Sequence, residues 1–159
     1  MSRLRPHLQR GAELVAAAIF AAMFGAFLLQ VFMRYVVNQP PTWTLEVCVI
    51  AYVWIAFWGC AFLVNERDHI AFNLFYVGAP AHVRRVLAVL ATLAIGAAFV
   101  VALGPTYDFV SFMAIDVTWV LEIRFDLVFS IFLAFMVMVI ARALWRLLRL
   151  LGPGWRDAL

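Results

Sequence analysis

Four stretches of this chain run without a charged side chain, and each approaches the thickness of a bilayer's hydrocarbon layer. Residues 14–33, 47–64, 86–104 and 127–141 contain no Asp, Glu, Lys or Arg. At a rise of about 1.5 Å per residue, a helix of roughly twenty residues crosses an apolar core of about 30 Å. The fourth stretch is short by itself. Leu144, Trp145, Leu147 and Leu148 carry it on while Arg142, Arg146 and Arg149 snorkel toward the headgroups. The pattern predicts an all-α integral membrane protein. It forms a single four-helix domain over residues 1–159, with spans at about 14–33, 47–64, 86–104 and 127–148.

Composition argues against the soluble alternative. Hydrophobic residues make up 67% of the chain and charged ones 13%, against about 45–50% and about 25% in an ordinary soluble domain. A soluble fold of this length hides only about 70% of its surface, so the apolar excess must face lipid or a partner. Arg3, Arg5 and Arg10 before the first run resemble the charged head of a signal peptide. The run that follows is longer than a typical leader core and no small-x-small cleavage site comes after it, so it reads as a retained anchor.

The arginines set the expected orientation. There is no lysine, and with a cytoplasmic N-terminus ten of the 12 basic residues fall inside: Arg3, Arg5, Arg10, Arg67, Arg84, Arg85, Arg142, Arg146, Arg149 and Arg156. Only Arg34 and Arg124 fall outside. The positive-inside rule therefore predicts both termini in the cytoplasm. It leaves Glu46, Asp108, Asp116, Glu122 and Asp126 on an acidic outer face. With a net charge of +3 and no dense basic cluster, nucleic acid is not an expected partner.

Punctuation and packing signals follow the same plan. All six prolines fall outside the four runs, which predicts helices unbroken by proline. Cys48 and Cys60 stand about 18 Å apart along one helix and cannot pair there, so they read as small buried packing residues. Small residues recur at helix-contact spacing at Ala17, Ala21 and Gly25, and again at Ala88, Thr92 and Gly96. Packing within the bundle is the plainest expectation for both stripes, with an interface to another subunit as the alternative.

The spans hold almost no chemistry. Their polar side chains are limited to groups such as Gln30, Tyr52, Trp54, Trp58, Thr92 and Ser130. No ionisable acid, base or histidine lies at depth, where a solute pathway or proton relay would need one. His7, His69 and His82 sit outside the runs, too far out to ligate haem across the bundle. The loop tract Glu66-Arg67-Asp68-His69 resembles a catalytic composition but reads as solvated charge. No catalytic, metal-binding or substrate-binding residues are expected, and no cofactor. The residues point to an auxiliary subunit: scaffold, anchor or docking partner. A redox-type membrane anchor and a small autonomous multidrug exporter are the alternatives. The first would need a chromophore and the second a buried acid, for which Glu13 beside Arg10 is poorly placed.

Arg34-Tyr35 closes the first run, and Trp43 and Glu46 open the second. That run continues as Tyr52-Val53-Trp54 and Phe57-Trp58-Gly59, followed by Arg67, Asp68-His69-Ile70 and Ala79-Pro80. In order and spacing this series resembles the small, DctQ-like membrane subunit of tripartite ATP-independent periplasmic (TRAP) transporters. Phe72-Asn73 departs from the valine and aspartate usual there. The resemblance implies a multi-pass protein of the bacterial inner membrane. It also implies a large membrane subunit that carries the sodium and substrate sites, and a periplasmic binding protein that delivers an organic acid. Arg34, Trp43, Glu46, Arg67 and His69 are the structural or interface candidates it singles out. Arg34 and Glu46 are expected to pair across a short outer loop, and Trp43 to sit at headgroup level. His69 is expected to cap or bridge backbone groups of the inner loop. Ile70, Leu74, Phe75 and Val77 let that loop lie on the bilayer surface. Generic interfacial anchoring is the plain alternative for each.

Overall fold

A computed structural model describes residues 4–63 and 80–152 of the chain, so Arg67, His69 and the interfacial loop between the second and third spans lie outside the described residues. Four long helices account for most of the remainder: α1 (Leu4–Phe32), α2 (Trp43–Trp58), α3 (Ala81–Phe112) and α4 (Phe125–Leu151). All four runs became membrane-length helices; the first, third and fourth extend past the predicted limits at both ends, and the second starts earlier, at Trp43, and is described to Leu63. A π-helical turn, Met33–Val37, prolongs α1 and another, Gly59–Leu63, prolongs α2. Beyond the first turn Asn38 takes the left-handed conformation (φ 57°), and the N–H groups of Asn38 and Gln39 both close on the Met33 carbonyl. Asparagine tolerates that conformation better than most residues, which suits it to end a helix.

The sequence expectations at Pro105 and Cys60 need correction. Pro105 does not mark a loop; it lies inside α3, which continues to Phe112. Its ring removes the bond to the Val101 carbonyl, but leaving the helix in an apolar medium would expose more peptide groups than that one. Cys60 is exposed rather than buried, while Cys48 is partly buried and its thiol donates to the Met23 carbonyl at 3.6 Å.

The helices do not close into a bundle. α1 packs chiefly on α2, α4 chiefly on α3, and a smaller contact joins α2 to α4, which gives a row in the order α1, α2, α4, α3. The first pair is knit by polar contacts, with the Trp58 indole donating to the Ala12 carbonyl at 3.0 Å in addition to the thiol bond of Cys48. The middle seam is aromatic: Phe57 of α2 meets Phe132 and Phe135 of α4 at 5.0 and 5.5 Å between ring centres. In a row most of every helix faces outward, and only 6–17% of the most apolar stretch of each span is buried. Lipid, or a partner protein, is the solvent for the rest.

The two small-residue stripes have opposite fates. Ala88 and Thr92 are buried and Gly96 is half-buried, with α3 turned toward α4. A Cβ at Gly96 would stand 3.3 Å from Ala143 Cβ. Ala17, Ala21 and Gly25 are exposed, and nothing approaches within 4 Å of a Cβ at Gly25. Within-bundle packing therefore holds for the second stripe and fails for the first. α1 turns Ala16, Ala26 and Gln30 inward instead.

The α3–α4 contact carries a direct test. Gly96→Leu should separate the pair and destabilise the protein in detergent by about 1–3 kcal/mol, the usual range for overpacking. Gly96→Ala should have a smaller effect, and Ala143→Gly should restore part of it. A thermal-unfolding series in one detergent reads all three. An unshifted midpoint for Gly96→Leu would contradict the close approach.

Candidate functional site

The described charged and polar groups gather at the two ends of the row. At one end the chain leaves α3 through a 3-10 turn, Met113–Ile115, and forms a small hairpin before entering α4. Val117 and Arg124 face each other as an antiparallel bridge. The Thr118 N–H donates to the Ile123 carbonyl at 2.9 Å, and the Ile123 N–H returns to the Thr118 hydroxyl at 3.1 Å. Glu122 completes the reversal with φ 52°. Arg124, just before α4, and Asp126, in its first turn, form an ion pair at 2.8 Å.

Glu46, in the first turn of α2, holds this hairpin down. Its Oε1 accepts the Val120 N–H and its Oε2 the Leu121 N–H, both at 2.9 Å. A tight turn leaves such N–H groups without partners of their own, and an ionised carboxylate is the strongest acceptor a side chain offers them. Leu121 and Ile123 then rest beside Val47 and Ile50 of α2 along an apolar groove that reaches Ile19 and Trp54.

Glu46 therefore does not pair with Arg34, contrary to the sequence expectation. Both of its oxygens face the hairpin, while Arg34 is exposed on the π-helical turn after α1. Trp43, at the start of α2, is 41% exposed, a position suited to headgroup contact. Between Trp43 and Glu46 the sequence reading passed over Thr44, which has no exposed surface. Its hydroxyl meets the Pro41 carbonyl at 2.8 Å and the side-chain amide of Gln30 on α1. One hydroxyl proton serves one acceptor. The two contacts are compatible when the hydroxyl donates to Pro41 and accepts from the Gln30 NH₂ group.

At the opposite end the arginines do more than snorkel. The Arg85 Nε donates to the Leu150 carbonyl at 2.9 Å and its Nη2 to the Leu151 carbonyl at 3.5 Å, near the end of α4. Arg142 donates to the Ala61 carbonyl in the π-helical turn after α2. Terminal and π-turn carbonyls lack regular intrahelical partners, and a guanidinium supplies both donors and a favourable charge. Neither bond has a side-chain motif that a sequence could display. Among the described residues no three His, Cys, Asp or Glu side chains converge in a way that could hold a metal ion.

A single row of membrane-length helices, with a pinned hairpin at one end and arginine-capped carbonyls at the other, defines a multi-pass membrane subunit. The chain belongs to the DctQ component family of the tripartite ATP-independent periplasmic transporters, whose family pattern matches residues 23–152. It is accordingly a small permease component and a multi-pass protein of the bacterial inner membrane. A similar protein is the C4-dicarboxylate TRAP transporter small permease protein DctQ of Vibrio cholerae serotype O1. It is 32% identical over 79 residues, a segment that covers 50% of this chain and 34% of that relative.

Proposed function

We propose that this chain is the non-catalytic small subunit of a sodium-coupled, binding-protein-dependent uptake system for organic acids. It braces the large transport subunit in the membrane and helps dock the soluble binding protein. The observation that carries this reading is the row itself. Helices ranked α1, α2, α4, α3 offer two broad apolar faces, and the polar groups found between them, such as Thr44 and Gln30, are tied to one another. Such a wall suits bracing better than conduction. The bare Ala17, Ala21, Gly25 face of α1 lies at one edge, where a helix of the large subunit could approach closely. Sodium and substrate belong to that subunit in this reading, and the whole chain acts as one membrane domain without a cofactor of its own.

Reconstitution provides the test. In proteoliposomes with an inward sodium gradient, the chain alone should accumulate no C4-dicarboxylate. Adding the large subunit and binding protein should give uptake. Robust uptake by the isolated chain would refute the auxiliary role.

The arginine asymmetry supports an orientation with both termini in the cytoplasm and the hairpin in the periplasm. A cysteine replacing Asp116 in a background lacking Cys48 and Cys60 should react with an impermeant maleimide in intact spheroplasts. One replacing Asn73 should react only after permeabilisation. The reverse pattern would invert the topology.

A further inference from the structure

The hairpin has two unlike faces. Leu121 and Ile123 turn back beside α2. Trp119, at the tip, is 95% exposed, and Ile115 (76%), Val117 and Val120 are exposed near it. A large aromatic left bare on a turn held by Glu46 has already given up much of the conformational freedom that binding would otherwise cost. Tryptophans in this situation dominate the energetics of protein interfaces.

We propose that Trp119 is the anchor of the contact with the soluble binding protein, and that it enters an apolar pocket ringed by basic side chains on that protein. The inference rests on the docking role given under Proposed function and assigns it to a residue. Charge selects the rim. This end of the molecule carries Glu46, Asp108, Asp116, Glu122 and Asp126 against Arg34 and Arg124. Glu46 is engaged by the hairpin and Asp126 by Arg124, which leaves Asp108, Asp116 and Glu122 exposed. Exposed carboxylates around an apolar tip match a basic rim and steer its approach. They oppose the other home open to a bare tryptophan, the headgroup layer of an anionic membrane. Rigid presentation points the same way, because an interfacial anchor needs no fixed tip geometry.

The test uses the complex of this chain with its large subunit in nanodiscs, titrated with the purified binding protein of the same system. Trp119→Ala should weaken binding by about tenfold or more, Trp119→Tyr by much less, and Glu122→Arg should weaken it in a salt-dependent way. Because Trp119 is exposed, the thermal midpoint should not move. A photoreactive p-benzoylphenylalanine in place of Trp119 should crosslink to the binding protein. Unchanged affinity for Trp119→Ala, or crosslinking to lipid alone, overturns the assignment while leaving the docking role intact. If the unmodified complex does not bind at all, the assignment and the docking role fall together.

Discussion

Glu46→Ala should release the hairpin over residues 116–125 while leaving the four helices assembled. The carboxylate accepts two backbone N–H groups, from Val120 and Leu121, that lie 74 and 75 residues along the chain. Alanine removes both acceptors at once, and the turn then depends on the Thr118–Ile123 and Phe125–Asp116 bonds. Amide exchange across the hairpin should accelerate by about tenfold or more, with little change in the spans. Glu46→Gln keeps one good acceptor oxygen and should fall between. Glu46→Asp is one methylene short and should resemble alanine more than glutamine. Adding Arg34→Ala should not alter the exchange further, because Arg34 is not the partner. Exchange in Glu46→Ala equal to that of the parent protein would contradict the clamp. In the assembled transporter the same substitution should weaken binding-protein docking even though Trp119 is untouched.

Thr44→Val should be more damaging than its size suggests. Thr44 is wholly buried at the junction of α1 and α2, and its hydroxyl is the described partner of the Gln30 amide. Valine keeps the shape and removes the polar contact, so a side chain only 8% exposed is left without it. An unsatisfied buried amide costs about 1–3 kcal/mol. Replacing both residues by apolar ones should then be milder than the sum. Thr44→Val/Gln30→Leu should recover much of the thermal stability lost in Thr44→Val alone. Additive losses would show that the two side chains do not share a bond.

The four spans were legible because lipid imposes length and apolarity on any helix that crosses it, whatever that helix touches. The order of the row was not. Each span is apolar nearly all round, so its sequence does not select the face that meets a neighbour. Identical small-residue spacing therefore gave a buried contact at Gly96 and an open face at Ala17, Ala21 and Gly25. Glu46 stood out as a candidate, yet its partner could not be read, because backbone N–H groups belong to every residue except proline. The same holds for Arg85 and Arg142, whose acceptors are carbonyls. Pro105 misled for a related reason: the rule that proline ends helices comes from water, where freed peptide groups find other partners.

The row divides naturally. α1 with α2, and α3 with α4, are each a closely packed antiparallel pair, and the described links between the pairs are the aromatic meeting of Phe57 with Phe132 and Phe135, the Glu46 clamp on the hairpin and the Arg142 bond to Ala61. Each pair can complete most of its helix contacts by itself, while the Val120 and Leu121 N–H groups wait for Glu46 of the other pair. Synthesis would then deliver two helical hairpins into the bilayer in turn, with lateral diffusion, the aromatic seam and the bonds of Glu46 and Arg142 left to join them. Two half-length polypeptides, separated between α2 and α3 and produced together, should therefore rebuild the subunit, and their co-purification in detergent reads the outcome.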